Sequence, residues 1–290
     1  MKIVAIDSIL GARILDLDLS EPLSPESCQA IEQALGQYGV VSFPDQKLTA
    51  HELKDFSQNF GHLEVNVANM YHESDLAEVM ILSNIVEDGK PIGLSDAGQD
   101  WHTDMSYSKM IAFSNVLYGL KIPVRGGKSL GNTEFCNMHA AYQGLPAQIK
   151  SELEGMTITH DFNKFWETMR REKGSTRPPL TDEQRKKKPP VSHPVFLTHP
   201  ITGKKVLYAN PGYSIRINEL SEEKSAQMLA FLFQHQTQDQ YKHRHNWTEG
   251  DVLMWDNIGT IHNAVADYRP DEPRLIKRCQ VMANKYFPVA

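Results

Sequence analysis

Hydrophobic and polar positions alternate in short runs along most of the chain, which is the pattern of β-strands. Near the N-terminus these runs lie at residues 2–6, 11–17 and 40–44. From about residue 78 the runs are closely spaced and separated by Gly, Pro and Asn, at residues 79–82, 114–120, 195–198, 206–209, 252–255 and 279–283. Short strands at this spacing predict a β-sandwich or barrel and not a doubly wound parallel sheet.

Helix signals interrupt the strands at four places. Ser24 and Pro25 are an N-cap residue and a first-turn proline, and the helix that they begin is expected to end near Gly39. Thr49 and Glu52 form a capping box that begins a second helix. Two further helices are predicted as insertions, at residues 138–155 and 221–236. The predicted fold class is therefore mainly β with helical insertions.

One segment departs from both patterns. Residues 170–190 contain Gly174, four prolines and the run Lys186 to Lys188. A solvated surface loop and a mobile lid over a cleft both fit this composition. With its flanks, the segment defines a lid or insertion at about residues 160–192.

Composition describes an ordinary globular protein, with 40% hydrophobic and 23% charged residues. The net charge of -6 gives no general attraction to nucleic acid or to an anionic membrane, so any anion site must be local. Cys28, Cys136 and Cys279 fit neither a disulfide framework nor a CxxC zinc pair. No signal peptide and no membrane span is recognisable, so we expect a cytoplasmic protein without membrane or nucleic-acid partners.

The first chemical signal is the pair His102 and Asp104, two residues apart. On a strand, both side chains would point to one face and could bind one ion. Alone, such a pair is more often a solvated or core histidine beside an aspartate. His262, which follows the segment beginning at Trp255, adds a second imidazole. Two histidines and one carboxylate form the facial triad that leaves coordination positions of Fe(II) open.

Two of the arginines that follow His262 are candidates for binding an anion. A keto acid that chelates iron leaves a distal carboxylate, and a guanidinium is a bidentate and permanently charged partner for it. Arg274 is the candidate for this role, with a surface ion pair as its alternative. Arg278 lies four residues further on and would face the same side of a strand.

Two other classes of protein fit part of this pattern. A zinc hydrolase could use two histidines, one aspartate and a bound water, but it would not need Arg274. A non-catalytic β-barrel binding protein would not need an intact triad. Both classes differ from an iron enzyme that decarboxylates a keto acid. Metal analysis, together with a test for the decarboxylated product succinate, discriminates among the three.

Taken together, the motifs resemble the taurine and 2,4-dichlorophenoxyacetate dioxygenase family (TauD/TfdA). The motifs are HTD at residues 102–104, GNTEF around Thr133, THPITGKKVLYAN at 198–210, WDNIGTIH at 255–262 and RLIKR at 274–278. The resemblance covers nearly the whole chain. It implies a single dioxygenase domain over residues 1–290, with a double-stranded β-helix (jelly-roll, cupin-like) core.

The resemblance also implies a set of site residues. Fe(II) would be held by His102, Asp104 and His262, which are the catalytic residues, and the co-substrate 2-oxoglutarate would contact Thr133 and Arg274. One departure from the family pattern lies nearby, because residues 126–133 are longer than the usual Gly-Gly-Asp-Thr turn.

For the substrate, Arg278 matches the family position that binds an anionic group. Asn66 and Asn69 match polar substrate contacts of the taurine enzymes but differ from them in residue type, so taurine is not the expected substrate. Phe165 and Trp166 are candidates for a wall against an apolar substrate body, with the buried face of an amphipathic helix as the alternative. The implied substrate is a small organic anion.

The implied reaction consumes O2, converts 2-oxoglutarate to succinate and CO2, and hydroxylates or cleaves the substrate. Desaturation or another oxidative tailoring of a carboxylate metabolite is the alternative at the same iron site. We also expect a homo-oligomer.

Overall fold

The computed structural model describes residues 1–6, 9–65, 71–173, 175 and 178–287. Within these residues the strands are β1 Lys2–Ala5, β2 Ala12–Leu15, β3 Val40–Phe43, β4 His72–Glu73, β5 Leu76–Ser83, β6 Val86–Glu87, β7 Lys90–Pro91, β8 Ala112–Lys121, β9 Val124–Arg125, β10 Lys128–Ser129, β11 Thr133–Asn137, β12 Thr157–His160, β13 Val191–Pro194, β14 Phe196–Thr198, β15 Lys205–Leu207, β16 Ser214–Ile217, β17 Lys242–His245, β18 Val252–Asp256, β19 Thr260–Ala264 and β20 Leu275–Met282. The α-helices are α1 Pro25–Tyr38, α2 Ala50–Gln58, α3 Met138–Gly144, α4 Ala147–Leu153, α5 Phe162–Glu172, α6 Asp182–Lys187 and α7 Glu222–Gln236.

Two sheets form the frame of the fold. The larger has eight strands in the order β1, β2, β3, β18, β8, β20, β5, β4, and the smaller has β11 between β17 and β19. Pairing in both sheets is antiparallel except between β2 and β3. Between the sheets, Phe135 of β11 packs edge-on against Trp255 of β18, with the ring centres 5.4 Å apart. The predicted fold class, a mainly β jelly-roll core with helical insertions, is confirmed.

Side chains of β20 alternate between the two faces of the large sheet, as a strand requires. Cys279 and Val281 pack in the outer core, which also contains buried residues of α1 and α2. Ile276 belongs to the inner core between the sheets. Arg278 and Gln280 share the parity of Ile276, and this alternation directs both polar side chains toward the interior.

The helices near the N-terminus begin where their capping residues predict. The Ser24 side chain accepts the Ser27 N–H, and α1 ends at Gly39, whose φ of 68° favours glycine. Both hydrogen bonds of the Thr49 and Glu52 capping box are present in α2. Among the described residues, no helix has the length and apolar character needed to cross a bilayer.

The helix predicted over residues 138–155 is instead two helices, α3 and α4. Pro146 separates them, because proline lacks an N–H and forces the residue before it out of the helical region. Leu145 accordingly has an extended ψ of 141°. The other predicted insertion, α7, begins directly after its N-cap Ser221.

Much of the segment at 160–192, for which a lid or insertion was predicted, is helical where it is described. It contains α5 and α6 and lies between β12 and β13, which pair with each other. Helix α5 buries Phe165 and Met169, whereas α6 buries no residue and is capped by Thr181. Gly174 lies outside the described residues.

Candidate active site

His102, Asp104 and His262 meet in the interior although two of them are far from the third in sequence. The backbones of the two histidines exchange hydrogen bonds with N···O distances of 3.0 and 2.9 Å, and their ring centres lie 4.1 Å apart. Oδ1 of Asp104 lies 3.4 Å from Nε2 of His102, and Oδ2 lies 3.8 Å from Nε2 of His262. The three potential ligand atoms lie within 4.8 Å of one another. They are close enough to bind one metal ion.

The strand geometry that was expected to bring His102 and Asp104 together is wrong. His102 forms an isolated bridge with His262, and the chain turns from Asp104 onward. Asp104 therefore reaches the site from a turn and not from a regular strand. The convergence was predicted correctly, but the backbone that produces it was not.

The protonation states of His102, His262 and Asp104 suit the binding of a metal cation. Nδ1 of His102 lies 2.8 Å from the Asp100 carbonyl, which can only accept, so Nδ1 carries the hydrogen and Nε2 keeps its lone pair toward Asp104. Burial, reinforced by His102, lowers the pKa of His262 well below its usual value. Burial alone would raise the pKa of Asp104, but Arg278 and the two imidazoles together bring it below the usual range. At neutral pH, Asp104 and His262 are therefore deprotonated, as metal ligands must be.

Arg274 is a buried cation beside the start of β11. Its side chain is 8% exposed, and one terminal nitrogen donates to the Gly131 carbonyl at 3.0 Å. The guanidinium carbon lies 5.7 Å from the centre of the Tyr268 ring. Nε is buried without a hydrogen-bond partner, and no carboxylate among the described residues pairs with this guanidinium.

Thr133 is the first residue of β11, two positions after Gly131. Its hydroxyl oxygen accepts a hydrogen bond from Nε1 of Trp247 at 3.0 Å. With Trp247 occupying the oxygen as donor, the hydroxyl hydrogen of Thr133 is directed to a different acceptor.

The extra residues before Thr133 form a hairpin. Strands β9 and β10 pair across Gly126 and Gly127, whose φ angles of 58° and 77° suit a two-residue turn. The departure from the family spacing is accommodated in this hairpin, and Thr133 still begins a strand that pairs with β19.

Arg278 lies against the triad. One terminal nitrogen is 3.3 Å from Oδ2 of Asp104, and the other is 3.3 Å from the sulfur of Met80. A small cavity beside the guanidinium is lined by Met80, Glu64, Glu78 and Gln280. Arg278 therefore contacts both Asp104 and this cavity.

The two aromatic candidates of α5 have different surroundings. The Phe165 ring lies 5.2 Å from that of His102 and 5.0 Å from that of Tyr213, centre to centre. The indole of Trp166 instead donates to the Pro178 carbonyl at 2.7 Å, within the insertion, and packs on Phe162. Asn66 and Asn69 lie outside the described residues.

The family model described as "Taurine catabolism dioxygenase TauD, TfdA family" matches residues 3–280. This chain belongs to the TauD/TfdA family. It is 32% identical to an alpha-ketoglutarate-dependent 2,4-dichlorophenoxyacetate dioxygenase of Cupriavidus pinatubonensis over 90% of this chain and 92% of the relative. It is 30% identical to a pentalenolactone F synthase of Streptomyces avermitilis over 93% of this chain and 90% of the relative.

Solved structures agree with this membership. A crystal structure of AAD-2 in complex with Mn(II) and N-oxalylglycine superposes with a TM-score of 0.81 at 29% identity, covering 97% of this chain and 98% of the other. A putative alpha-ketoglutarate-dependent 2,4-D dioxygenase of Burkholderia xenovorans gives the same score and identity over 98% of both chains. As a TauD/TfdA enzyme, the protein is an oxidoreductase that uses Fe(II), 2-oxoglutarate and O2 on a small-molecule substrate.

A second group of residues in this TauD/TfdA chain also lies close enough to share an ion, namely His139, His199 and Asp256. Its hydrogen bonds argue against that role. Nδ1 of His199 accepts the backbone N–H groups of Ile201 and Thr202 at 3.3 and 3.2 Å, so the ring hydrogen is on Nε2. That Nε2 faces Oδ2 of Asp256 at 2.9 Å. A protonated nitrogen has no lone pair for a metal, and the group is a buried histidine and aspartate pair.

Sequence reasoning missed several residues around this family site. Trp247 contacts Thr133 from a segment with no motif of its own. Tyr213 and Tyr107 pack with Phe165 in one buried cluster, and burial and Asp104 raise the pKa of Tyr107, which keeps its phenol protonated. The only available signal was the position of Tyr107, three residues after Asp104.

Proposed function

We propose that this dioxygenase binds Fe(II) through His102, Asp104 and His262, and that Arg274 and Thr133 anchor the distal carboxylate of 2-oxoglutarate. The substrate is a small organic anion, and it is recognised by Arg278. Fe(II) with 2-oxoglutarate supplies the activation of O2 that oxidises a C–H bond. The chain itself binds, orients and shields the reactants.

The observation that carries this proposal is the buried charge of Arg274. Burying a guanidinium without a carboxylate partner costs roughly several kcal/mol of free energy, unless a ligand supplies the anion. Its unpartnered Nε supports a ligand with hydrogen-bond acceptors. Thr133 adds a hydroxyl hydrogen that Trp247 cannot take up. A dicarboxylate bound at its far end would satisfy both groups.

Arg278 supports an anionic substrate in a similar way. Its present partner is Oδ2 of Asp104, at 3.3 Å. A metal cation bound to Asp104 would compete with Arg278 for the same carboxylate, and the guanidinium would then have donors for a substrate anion. The neighbouring Phe165 and Tyr213 rings offer an apolar surface for the substrate body.

The insertion at residues 160–192 supports a role as cover for the site. Phe165 of α5 places an aromatic ring against His102, and a ring there would exclude water from the reacting C–H bond. We propose that residues 160–192 form this cover within one dioxygenase domain over residues 1–290. Limited proteolysis with and without 2-oxoglutarate and substrate would test whether the cover closes.

The function is tested with a panel of sulfonates, aryloxyalkanoates, phosphonates and amino-acid derivatives, read by substrate-dependent succinate formation. Product analysis separates hydroxylation, desaturation and cleavage. We expect Asp104→Ala and His262→Ala to abolish Fe(II)-dependent turnover in folded protein. Activity like that of the wild type in either variant at limiting iron would contradict the ligand assignment.

We also propose that the protein is a homo-oligomer of the cytoplasm without nucleic-acid or membrane partners. Three free cysteines and the net charge of -6 support this setting. Ile3, Val4 and Ile6 are exposed along and just after the edge strand β1, which offers an apolar surface for a second copy. Analytical ultracentrifugation of the wild type and of Val4→Lys tests the oligomer, and a monomeric wild type would contradict it.

A further inference from the structure

Three buried carboxamides form a hydrogen-bonded chain behind Asp104. Gln280 and Asn115 lie directly opposite each other on β20 and β8, and Nε2 of Gln280 donates to Oδ1 of Asn115 at 3.1 Å. Nδ2 of Asn115 in turn donates to Oδ1 of Asn257 at 3.4 Å. The exposed fractions of Asn257, Asn115 and Gln280 are 0%, 0% and 7%, so water does not replace these bonds readily.

Asn257 bonds both backbone polar groups of Asp104. The Asp104 N–H donates to Oδ1 of Asn257 at 3.1 Å, and Nδ2 donates to the Asp104 carbonyl at 2.9 Å. The second hydrogen of Nδ2 goes to the Ala112 carbonyl at 3.1 Å. With the bond from Asn115, both donors and both acceptor positions of this carboxamide are used.

This contact fixes a residue that regular structure does not hold. Asp104 lies in a turn, and the carboxamide bonds its N–H and its carbonyl as a neighbouring strand would. Asn257 itself lies in the turn between β18 and β19, and β19 carries His262. The same turn therefore holds His262 through the chain and Asp104 through hydrogen bonds.

We propose that Asn257 is a positioning residue for Asp104, and that Asn115 and Gln280 hold its carboxamide in the required orientation. The inference rests on the proposed function, because it takes Asp104 as a metal ligand. Asn257 acts through the backbone of Asp104 and makes no contact with the reactants. Metal sites need their ligands held to within roughly 0.5 Å, so a loosened turn weakens metal binding.

The test measures the dissociation constant of Mn(II) for folded, metal-free protein. Asn257→Leu keeps the approximate shape of the side chain, introduces no charge, and removes both hydrogen bonds to Asp104. We expect it to weaken Mn(II) binding by about 10- to 100-fold, the usual effect of losing a partner behind a metal ligand. Asn115→Leu leaves the bonds to Asp104 and removes one that orients Asn257, so we expect a smaller loss of affinity.

Asn137→Leu is the matched control. Asn137 caps α3 and donates to the Ile9 carbonyl at 2.8 Å, so the same substitution also removes hydrogen bonds to the backbone. It should lower the unfolding temperature and leave Mn(II) affinity unchanged. If Asn257→Leu behaves like this control, Asn257 is merely structural and the inference is overturned.

If Asn257→Leu does not fold, Asn115→Leu decides, and unchanged Mn(II) affinity in that variant overturns the inference. Asp104→Ala separates this failure from failure of the proposed function. Wild-type Mn(II) affinity in Asp104→Ala would show that the ligand assignment is wrong. Weakened binding in Asp104→Ala with unchanged binding in both asparagine variants would contradict only the role of Asn257.

Discussion

At the scale of single residues, Arg274 provides the sharpest test of the co-substrate site. Removing a buried charged partner of a carboxylate costs about 2–5 kcal/mol, or roughly 30-fold to several thousand-fold in affinity. We therefore expect Arg274→Ala to raise the half-saturating concentration of 2-oxoglutarate by a factor in this range, and that of the substrate far less. A 2-oxoglutarate titration at fixed substrate measures the change.

Arg244→Ala is the control for that substitution. Arg244 is 44% exposed and pairs with Glu134 and Asp267 at the surface, where ion pairs contribute little. Its loss should leave the 2-oxoglutarate requirement unchanged. An equal effect of the two substitutions would show that Arg274 is not a specific anchor.

The hydroxyl of Thr133 provides a second prediction for the same carboxylate. A hydrogen bond to a charged group contributes roughly 1.5–3 kcal/mol, so Thr133→Val should weaken 2-oxoglutarate binding by about 10- to 150-fold. Thr133→Ser keeps the hydroxyl and should be close to the wild type. Binding of 2-oxoglutarate to the Mn(II) form, measured by calorimetry, checks both, and equal affinities in the two variants would contradict the role of the hydroxyl.

Residue types and spacing were sufficient to predict that His102, Asp104 and His262 lie together, because two imidazoles and a carboxylate are an unusual combination. They were not sufficient to predict Trp247 or Asn257. Trp247 makes one hydrogen bond to Thr133 and Asn257 makes two to the Asp104 backbone, and only the folded chain brings these residues into contact.

At the scale of elements, α5 offers two neighbouring aromatic residues with different roles. Phe165→Leu replaces the ring that contacts His102 with a smaller side chain, which would shield the site less well from water. We therefore expect more succinate to form without substrate oxidation. Trp166→Ala removes an indole that packs within the insertion, so the ratio of succinate to oxidised product should stay near that of the wild type. A larger change for Trp166→Ala would contradict the assignment of Phe165 as the wall.

Capping residues predicted two helix starts well, because Ser24 and Thr49 each accept a backbone N–H of the first turn. The break at Pro146 was missed, although proline inside a helical pattern is a physical stop signal. The hairpin before Thr133 was also missed. Its two glycines were visible, but whether inserted residues shift a strand or fold outward depends on tertiary pairing.

At the scale of the whole molecule, one buried histidine, His160, and two half-buried ones, His139 and His193, predict instability in acid. Burial lowers the pKa of His139 and of His193 from 6.5, and it lowers that of His160 to about 3. Because the unfolded chain takes up these protons and the folded chain does not, stability is present above pH 6.5 and is lost as the pH falls below it.

Each such histidine adds up to about 1.4 kcal/mol of lost stability per pH unit in that window. His160→Gln retains a polar partner for Ser106, with which Nδ1 of His160 lies in contact at 3.1 Å, and should make the acid side of the profile less steep. Denaturant unfolding of metal-free protein at a series of pH values measures the slope. A stability that is constant from neutral pH to well below pH 6.5 would contradict the prediction.

The overall fold was predictable because alternation along the strands predicts a sandwich or barrel and the family resemblance implies a jelly-roll core, and the two agree. The stabilisation of that fold by its ligands was not predictable, because it depends on binding sites that form only in the folded state. A ligand that binds only folded protein at 100 times its dissociation constant stabilises it by about 2.7 kcal/mol. For a chain of this size, that corresponds to an increase of several degrees in Tm.

We therefore expect the unfolding temperature to rise in two steps, first with Mn(II) and again when 2-oxoglutarate is added. Arg274→Ala should keep the first step, because its triad is intact. It should lose most of the second, because the guanidinium that pairs with the distal carboxylate of 2-oxoglutarate is missing. Asp104→Ala should lose both, since 2-oxoglutarate then has no metal to chelate. Differential scanning calorimetry of the three proteins checks this order. A full second step in Arg274→Ala, or one in Asp104→Ala, would show that 2-oxoglutarate binds elsewhere than between the triad and Arg274.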